Sequence, residues 1–148
     1  MEKITDLCTG CRACEQLCAH HAISMVEDKE GFLTFSINQE QCVDCGLCRL
    51  VCPQNTKPHL LKPQKALAAR DKNDTELKKS ASGGAFAAAA RVILSQGGVV
   101  VGAAYNDDMT VSHHIIDRLK DLPQLQSSKY VQSNTTDTFK SVKKLLRD

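Results

Sequence analysis

Apolar and polar positions change their rhythm several times along the chain. Residues 23–38, "ISMVEDKEGFLTFSIN", set two apolar-rich arms around a polar centre, which predicts a hairpin with Gly31 at its turn. The second half predicts a mixture of helix and strand. "QKALAAR" (64–70) reads as a strand and "TELKKSA" (75–81) as the start of a short helix. "SGGAFAAAARVILSQ" (82–96) reads as a helix, with Ser82 as its N-cap and Gly97 placed to end it. "GVVVGAAY" (98–105) predicts a buried strand from its β-branched run. "TVSHHIID" (110–117) predicts a second strand, antiparallel to it across an "NDD" turn. "TDTFKSVKKLLRD" (136–148) predicts an amphipathic helix carrying Phe139, Val142, Leu145 and Leu146 on one face.

A repeat underlies the first part of the chain. "CTGCRACEQLCAHHAI" begins at Cys8 and "CVDCGLCRLVCPQNTK" at Cys42. All four cysteines register between the copies: Cys8 with Cys42, Cys11 with Cys45, Cys14 with Cys48, and Cys18 with Cys52. Each copy reads as a short strand, a cysteine loop, a short helix and a strand. A unit of this size has little apolar volume to bury, so it needs staples. Composition shifts near Pro63: residues 1–63 carry six basic and eight acidic side chains, the rest thirteen and nine. "KPHLLKP" (57–63), with two prolines, reads as the exit linker.

The net charge of +2 over 148 residues indicates neither a nucleic-acid binder nor an enzyme for acidic substrates. The N-terminus lacks the pattern of a secretory signal. Residues 84–105 are the least polar region, but Arg91, Ser95, Gln96 and a glycine pair keep them short of a membrane span. These features predict a cytoplasmic protein whose thiols stay reduced. Eight cysteines then point to metal.

Thiolates bind zinc or iron–sulfur clusters. Zinc sites usually use two distant C-x2-C pairs, whereas three consecutive C-x2-C steps wrap a loop around one compact body. That loop offers three thiolates to a 4Fe-4S cube, and the fourth cysteine lies on the helix that follows. Residues 1–62 resemble the bacterial two-cluster ferredoxins. The resemblance implies that the fourth cysteine of each copy serves the other cluster. Cys8, Cys11, Cys14 and Cys52 would hold one cluster; Cys42, Cys45, Cys48 and Cys18 the other. It also implies one-electron transfer at low potential, and metal loss that unfolds both halves. Pro53 follows the second motif where Ala19 follows the first, which leaves the ligand set complete.

"SASGGAFAAAARVILSQGGVVVGAAY" together with "SSKYVQS" (127–133) resembles the beta subunits of deazaflavin-coenzyme hydrogenases and dehydrogenases. That resemblance covers residues 63–148 and implies electron transfer between clusters, flavin and a hydride-accepting coenzyme. Ser82, Gly83 and Gly84 at a helix start suit a phosphate, so they become candidate flavin contacts, with Lys129 as a further one. An ordinary capped helix and a solvated lysine are the competing readings. His113 and His114 point to opposite faces of a strand and cannot converge on one ion. His20 and His21 follow Cys18 and could tune a nearby cluster through hydrogen bonds. Members of that family continue past "KSVKKLLRD", so the expectation is a truncated or naturally short relative that holds its clusters but binds FAD or FMN weakly.

The expected fold class is α+β: a duplicated ferredoxin-like two-cluster domain (1–62) followed by a partial α/β domain (63–148). The expected function is electron transfer with redox protein partners, with no nucleic acid and no membrane span. Two rivals stand beside it. One is a complete reductase subunit that forms its flavin site with a partner chain. The other is a zinc-stapled, non-redox module.

Overall fold

The structure, a computed structural model, describes residues 4–55 and 59–147. Part of the expected linker, Lys57 and Pro58, lies outside the described residues. Two compact units emerge: residues 1–61 with 135–148, and residues 62–134.

The first unit is built on helix α1 (Ala13–Leu17), strands β1 (Ile23–Glu27) and β2 (Leu33–Ile37), helix α2 (Leu47–Val51) and helix α5 (Thr138–Leu145). The predicted hairpin forms: β1 and β2 pair antiparallel, with Ile23 opposite Ile37 and Glu27 opposite Leu33. Its turn is organised by Asp28, whose carboxylate accepts from the N–H groups of Glu30 and Phe32, both at 2.9 Å. Gly31 sits there at φ 84°, a left-handed value that glycine adopts without a Cβ clash. The buried cluster consists of Ile4, Cys14, Ile23 and Cys52, with Cys18, Phe35, Ile37 and Cys48 packed against it. Half of these side chains are cysteines, as expected of a unit too small to be held by hydrocarbon alone.

Helix α5 belongs to this unit. The sequence reading grouped it with the second half, but it packs on α1, and the Phe139 N–H donates to the Gln16 side-chain oxygen at 3.1 Å. Its apolar residues are only partly covered: Phe139 and Leu145 are exposed in part, and Leu146 largely so. No strand precedes either cysteine loop among the described residues, so β1–β2 is the unit's one described sheet.

In the second unit, the short helix α3 (Asp74–Leu77) is followed by α4 (Ala85–Ser95), strands β3 (Val100–Tyr105) and β4 (Val111–Ile116), and a 3-10 helix (Leu119–Leu125). The two strands pair antiparallel, Val100 opposite Ile116 and Tyr105 opposite Val111. Ala90, Leu94, Ala104, Ile116, Leu122 and Leu125 form the core. Helix α4 ends as predicted: Gly97 stands at φ 78°, its N–H donates to the Leu94 carbonyl at 3.2 Å, and the Gly98 N–H to that of Ile93 at 3.0 Å. This is the paired closure that a glycine after a helix permits.

Three expectations need correction here. Residues 64–70 form neither helix nor strand; Leu67 is exposed, and a short alanine-rich run with no sheet edge beside it gains nothing from extension. Ser82 is not the cap of α4; that position is Gly84, at φ 77° and without a side-chain cap bond. Strand β3 is less buried than its β-branched run suggests, with only Ala104 fully covered, because a two-stranded sheet packed on one helix leaves its other face open.

Candidate cluster-binding site

The two cysteine loops repeat in their backbone as well as in sequence. Gly10 and Arg12 take left-handed φ values of 64° and 61°, and the corresponding Asp44 and Gly46 take 51° and 73°. Each copy thus reverses direction twice before a five-residue helix, α1 or α2. Cys18 and Cys52 then close these helices with φ of −68° in both cases. One position of each left-handed pair is glycine and the other is not, so each copy carries one residue that resists its own conformation.

The loops and helices sort the eight cysteines between two cavities. A cavity of about 140 Å³ is lined by Cys18, Cys42, Cys45 and Cys48, with Leu17, Val43 and Leu47 among its apolar wall and Cys14 at its border. A tighter cavity of about 20 Å³ is lined by Cys8, Cys11, Cys14 and Cys52, with Met25 and Phe35. An iron–sulfur cube in the tighter cavity requires these side chains to open outward. All eight cysteines are free thiols. Backbone N–H groups point at sulfur in the manner a thiolate favours: Gly10 donates to Cys8 Sγ, and Ala22 to Cys18 Sγ, both at 3.4 Å.

Burial pushes the Cys14 thiol up to about 11 and raises that of Cys48 above its ordinary value. A metal must therefore displace a proton that these sites hold firmly. Among the described residues no three His, Cys, Asp or Glu side chains are placed to hold one metal ion. A cube binds each of its four thiolates through a different iron, so it does not call for such convergence. The donor set fits two clusters of that kind.

Sequence comparisons agree with this chemistry. The family description "4Fe-4S dicluster domain" matches residues 7–56. Ferredoxin Fdx2 of Sorangium cellulosum (strain So ce56) is 34% identical over 92 residues, an alignment covering 53% of this chain and 86% of that ferredoxin. The chain belongs to the ferredoxin family. A ferredoxin-type domain also links it to one component of an ion-translocating oxidoreductase complex from Methanosarcina acetivorans, 45% identical over 47 residues. That match takes in 32% of this chain and 16% of the Methanosarcina protein. In this ferredoxin the matched segment carries all eight cysteines. It is an iron–sulfur electron-transfer protein.

The second unit brings together the other candidate residues. Ser82, Gly83, Gly84 and Lys129 all line one cavity of about 470 Å³, floored by Gly102 and Ala103 of β3. The first turn of α4 opens on it, since Gly84 supplies no side-chain cap. A Cβ at Gly83 would lie 2.5 Å from the Ala69 carbonyl oxygen, so glycine is required there for packing alone. Lys129 is not a free cation: its ammonium donates to the carbonyls of Gln124, Gln126 and Ser127 at 3.0, 2.7 and 3.2 Å. Desolvation lowers its pKa.

Gln126, which sequence reasoning missed, is 7% exposed, lines the same cavity, and has no hydrogen-bond partner for its side-chain nitrogen. A lone glutamine in a polar run gives no signal that could have found it. Thr135 was missed for the same reason: its hydroxyl donates to the Cys11 carbonyl at 3.0 Å. The histidines of β4 face different partners, His113 meeting Ser133 at 2.8 Å and His114 meeting Asn106 and Ser112 at 2.9 and 3.0 Å. No helix among the described residues is long and apolar enough to cross a membrane.

Proposed function

We propose that the chain is a one-electron carrier with two 4Fe-4S clusters in a duplicated unit, held by crossed ligand sets. Cys8, Cys11, Cys14 and Cys52 hold one; Cys42, Cys45, Cys48 and Cys18 hold the other. The observation that carries this reading is the division of the thiols between two cavities, each drawing its fourth cysteine from the opposite copy. The shared left-handed positions and the matching helices support the duplication. A bound cluster supplies a reversible one-electron change with no group transfer. The chain's own part is to orient the thiolates, to offer the Gly10 and Ala22 N–H groups to sulfur, and to shield the site with Phe35, Ile37 and Ile23. Redox proteins are its partners, and a reducing compartment such as the cytoplasm suits eight free thiols. Anaerobic reductive titration tests this: uptake of about two electrons per chain is expected. Uptake of none sinks the reading.

A second reading concerns residues 62–134 as part of an α/β domain of a flavin-linked oxidoreductase, with a flavin phosphate at Ser82, Gly83 and Gly84. It is supported by the cavity that gathers these residues and by the buried, unpartnered Gln126 amide on its wall. The uncapped start of α4 offers N–H donors and the positive end of its dipole. Lys129 contributes charge to the wall while its hydrogen bonds brace the loop behind it. Titration with FMN, followed by fluorescence quenching, tests the site in the wild type and in Gln126→Leu. Quenching weakened by the substitution supports it; no quenching in either protein removes it.

A further inference from the structure

The two cysteine sets differ in how they meet solvent. Of the set Cys8, Cys11, Cys14 and Cys52, two thiols are buried and two partly covered. The Cys11 carbonyl is also held by Thr135 at the entry to α5. In the set Cys18, Cys42, Cys45 and Cys48, none is buried and Cys45 is fully exposed. Around this second set the cavity wall is apolar and open: Val43 is 59% exposed, Leu47 47% and Leu17 42%. Exposed aliphatic side chains grouped around a single reactive thiol mark a contact surface more than a solvated one.

Resting on the two-cluster reading above, we propose that electrons are exchanged with protein partners through the face formed by Val43, Leu47 and Leu17 around Cys45. The other cluster serves as the inner relay. The occupant is a one-electron redox protein with a basic rim around an apolar-edged cofactor. Charge sets this choice. Residues 1–63 carry eight acidic and six basic side chains, and each oxidised cluster with its four thiolates adds about −2. Asp44 places a carboxylate on the wall of the cavity itself. A basic partner is drawn in by the field, and aliphatic contact then excludes water at the point of transfer. One electron passes to the partner, and no bond forms or breaks.

Cytochrome c, a basic haem protein whose iron goes from Fe(III) to Fe(II), is the probe. Stopped-flow mixing with the dithionite-reduced chain gives its rate, and the small dye dichlorophenolindophenol gives the rate of the clusters unhindered by docking. For Val43→Gln with Leu47→Gln, the ratio of the protein rate to the dye rate falls about tenfold, within the range spanned by mutants of one interface. Calorimetric affinity for cytochrome c falls with it. Leu7→Gln, a similarly exposed leucine beside Cys8 (69%), leaves the ratio unchanged. Iron and sulfide content of each variant separates a lost docking face from lost clusters. A wild-type measurement stands beside the variants: carbodiimide cross-linking to cytochrome c lysines is expected at Asp44. A ratio that falls for Leu7→Gln and not for the pair, or cross-links at Asp6 in place of Asp44, overturns the assignment.

Discussion

Replacing Cys18 by serine removes a thiol from the helix end of one motif, and the structure says which cluster loses it. Cys18 lines the cavity of about 140 Å³ with Cys42, Cys45 and Cys48, not the one beside its own loop. If each cavity holds four irons, the wild type carries about eight and Cys18→Ser about four. Pairs of substitutions then reveal the crossing without spectral assignment. Cys18→Ser with Cys42→Ser strikes one set twice, so about four irons remain. Cys18→Ser with Cys8→Ser strikes both sets, and iron falls to about zero. The fold should follow the metal. The buried cluster of the first unit has two aliphatic members, Ile4 and Ile23, whose burial contributes about 3–6 kcal/mol together. Structural metal–thiolate sites contribute about 10–16 kcal/mol on the scale of zinc peptides, so the metal term dominates. The assay is iron and acid-labile sulfide per chain after anaerobic purification, with far-ultraviolet circular dichroism. If the Cys8/Cys18 pair keeps about half its iron while the Cys18/Cys42 pair loses all of it, each loop holds its own cluster and the crossed assignment fails.

Other consequences are open to test. Gly46→Ala forces a Cβ into φ 73°, so it should cost about 1 kcal/mol, read as faster loss of visible absorbance in denaturant; no change would argue against the left-handed turn. Thr135→Val removes the hydrogen bond to the Cys11 carbonyl and should cost about 1 kcal/mol, with faster amide exchange in α5; unaltered exchange would show that the bond does not hold this segment. The Asn73 N–H, then the Arg91 guanidinium, hold the Asp71 carboxyl below its ordinary 3.8. A carboxyl with a lowered folded pKa stabilises the fold fully above the ordinary value and loses that effect as pH falls through the folded one. Asp71→Asn should therefore speed amide exchange in α4 at neutral pH, and its difference from wild type should vanish in acid; a difference independent of pH would refute the linkage.

What was legible in the sequence was what short-range chemistry dictates. The β1–β2 hairpin could be read because alternation, a polar centre and Gly31 coincide within sixteen residues, 23–38. The α4 terminus could be read because a glycine after a helix has one common use. The eight cysteines declared their metal through spacing alone. The misreadings arose where structure depends on distant partners. The start of α4 fell at Gly84 because its left-handed turn, and not a serine hydroxyl, admits the chain to the helix. "QKALAAR" has strand-like residues, but strands need an edge to join, and residues 64–70 form none. The amphipathic stripe of α5 revealed an apolar face without saying which unit it covers; the bond from Phe139 to Gln16 answers that. Gln126 carries no local pattern, and only the cavity around it gives its amide meaning.

The central claim is that two iron–sulfur cubes occupy the cysteine sets, and metal analysis of the anaerobically purified chain tests it most directly. The account predicts a brown protein with about eight irons and an equal amount of acid-labile sulfide per chain. A colourless protein with stoichiometric zinc and no sulfide would contradict it.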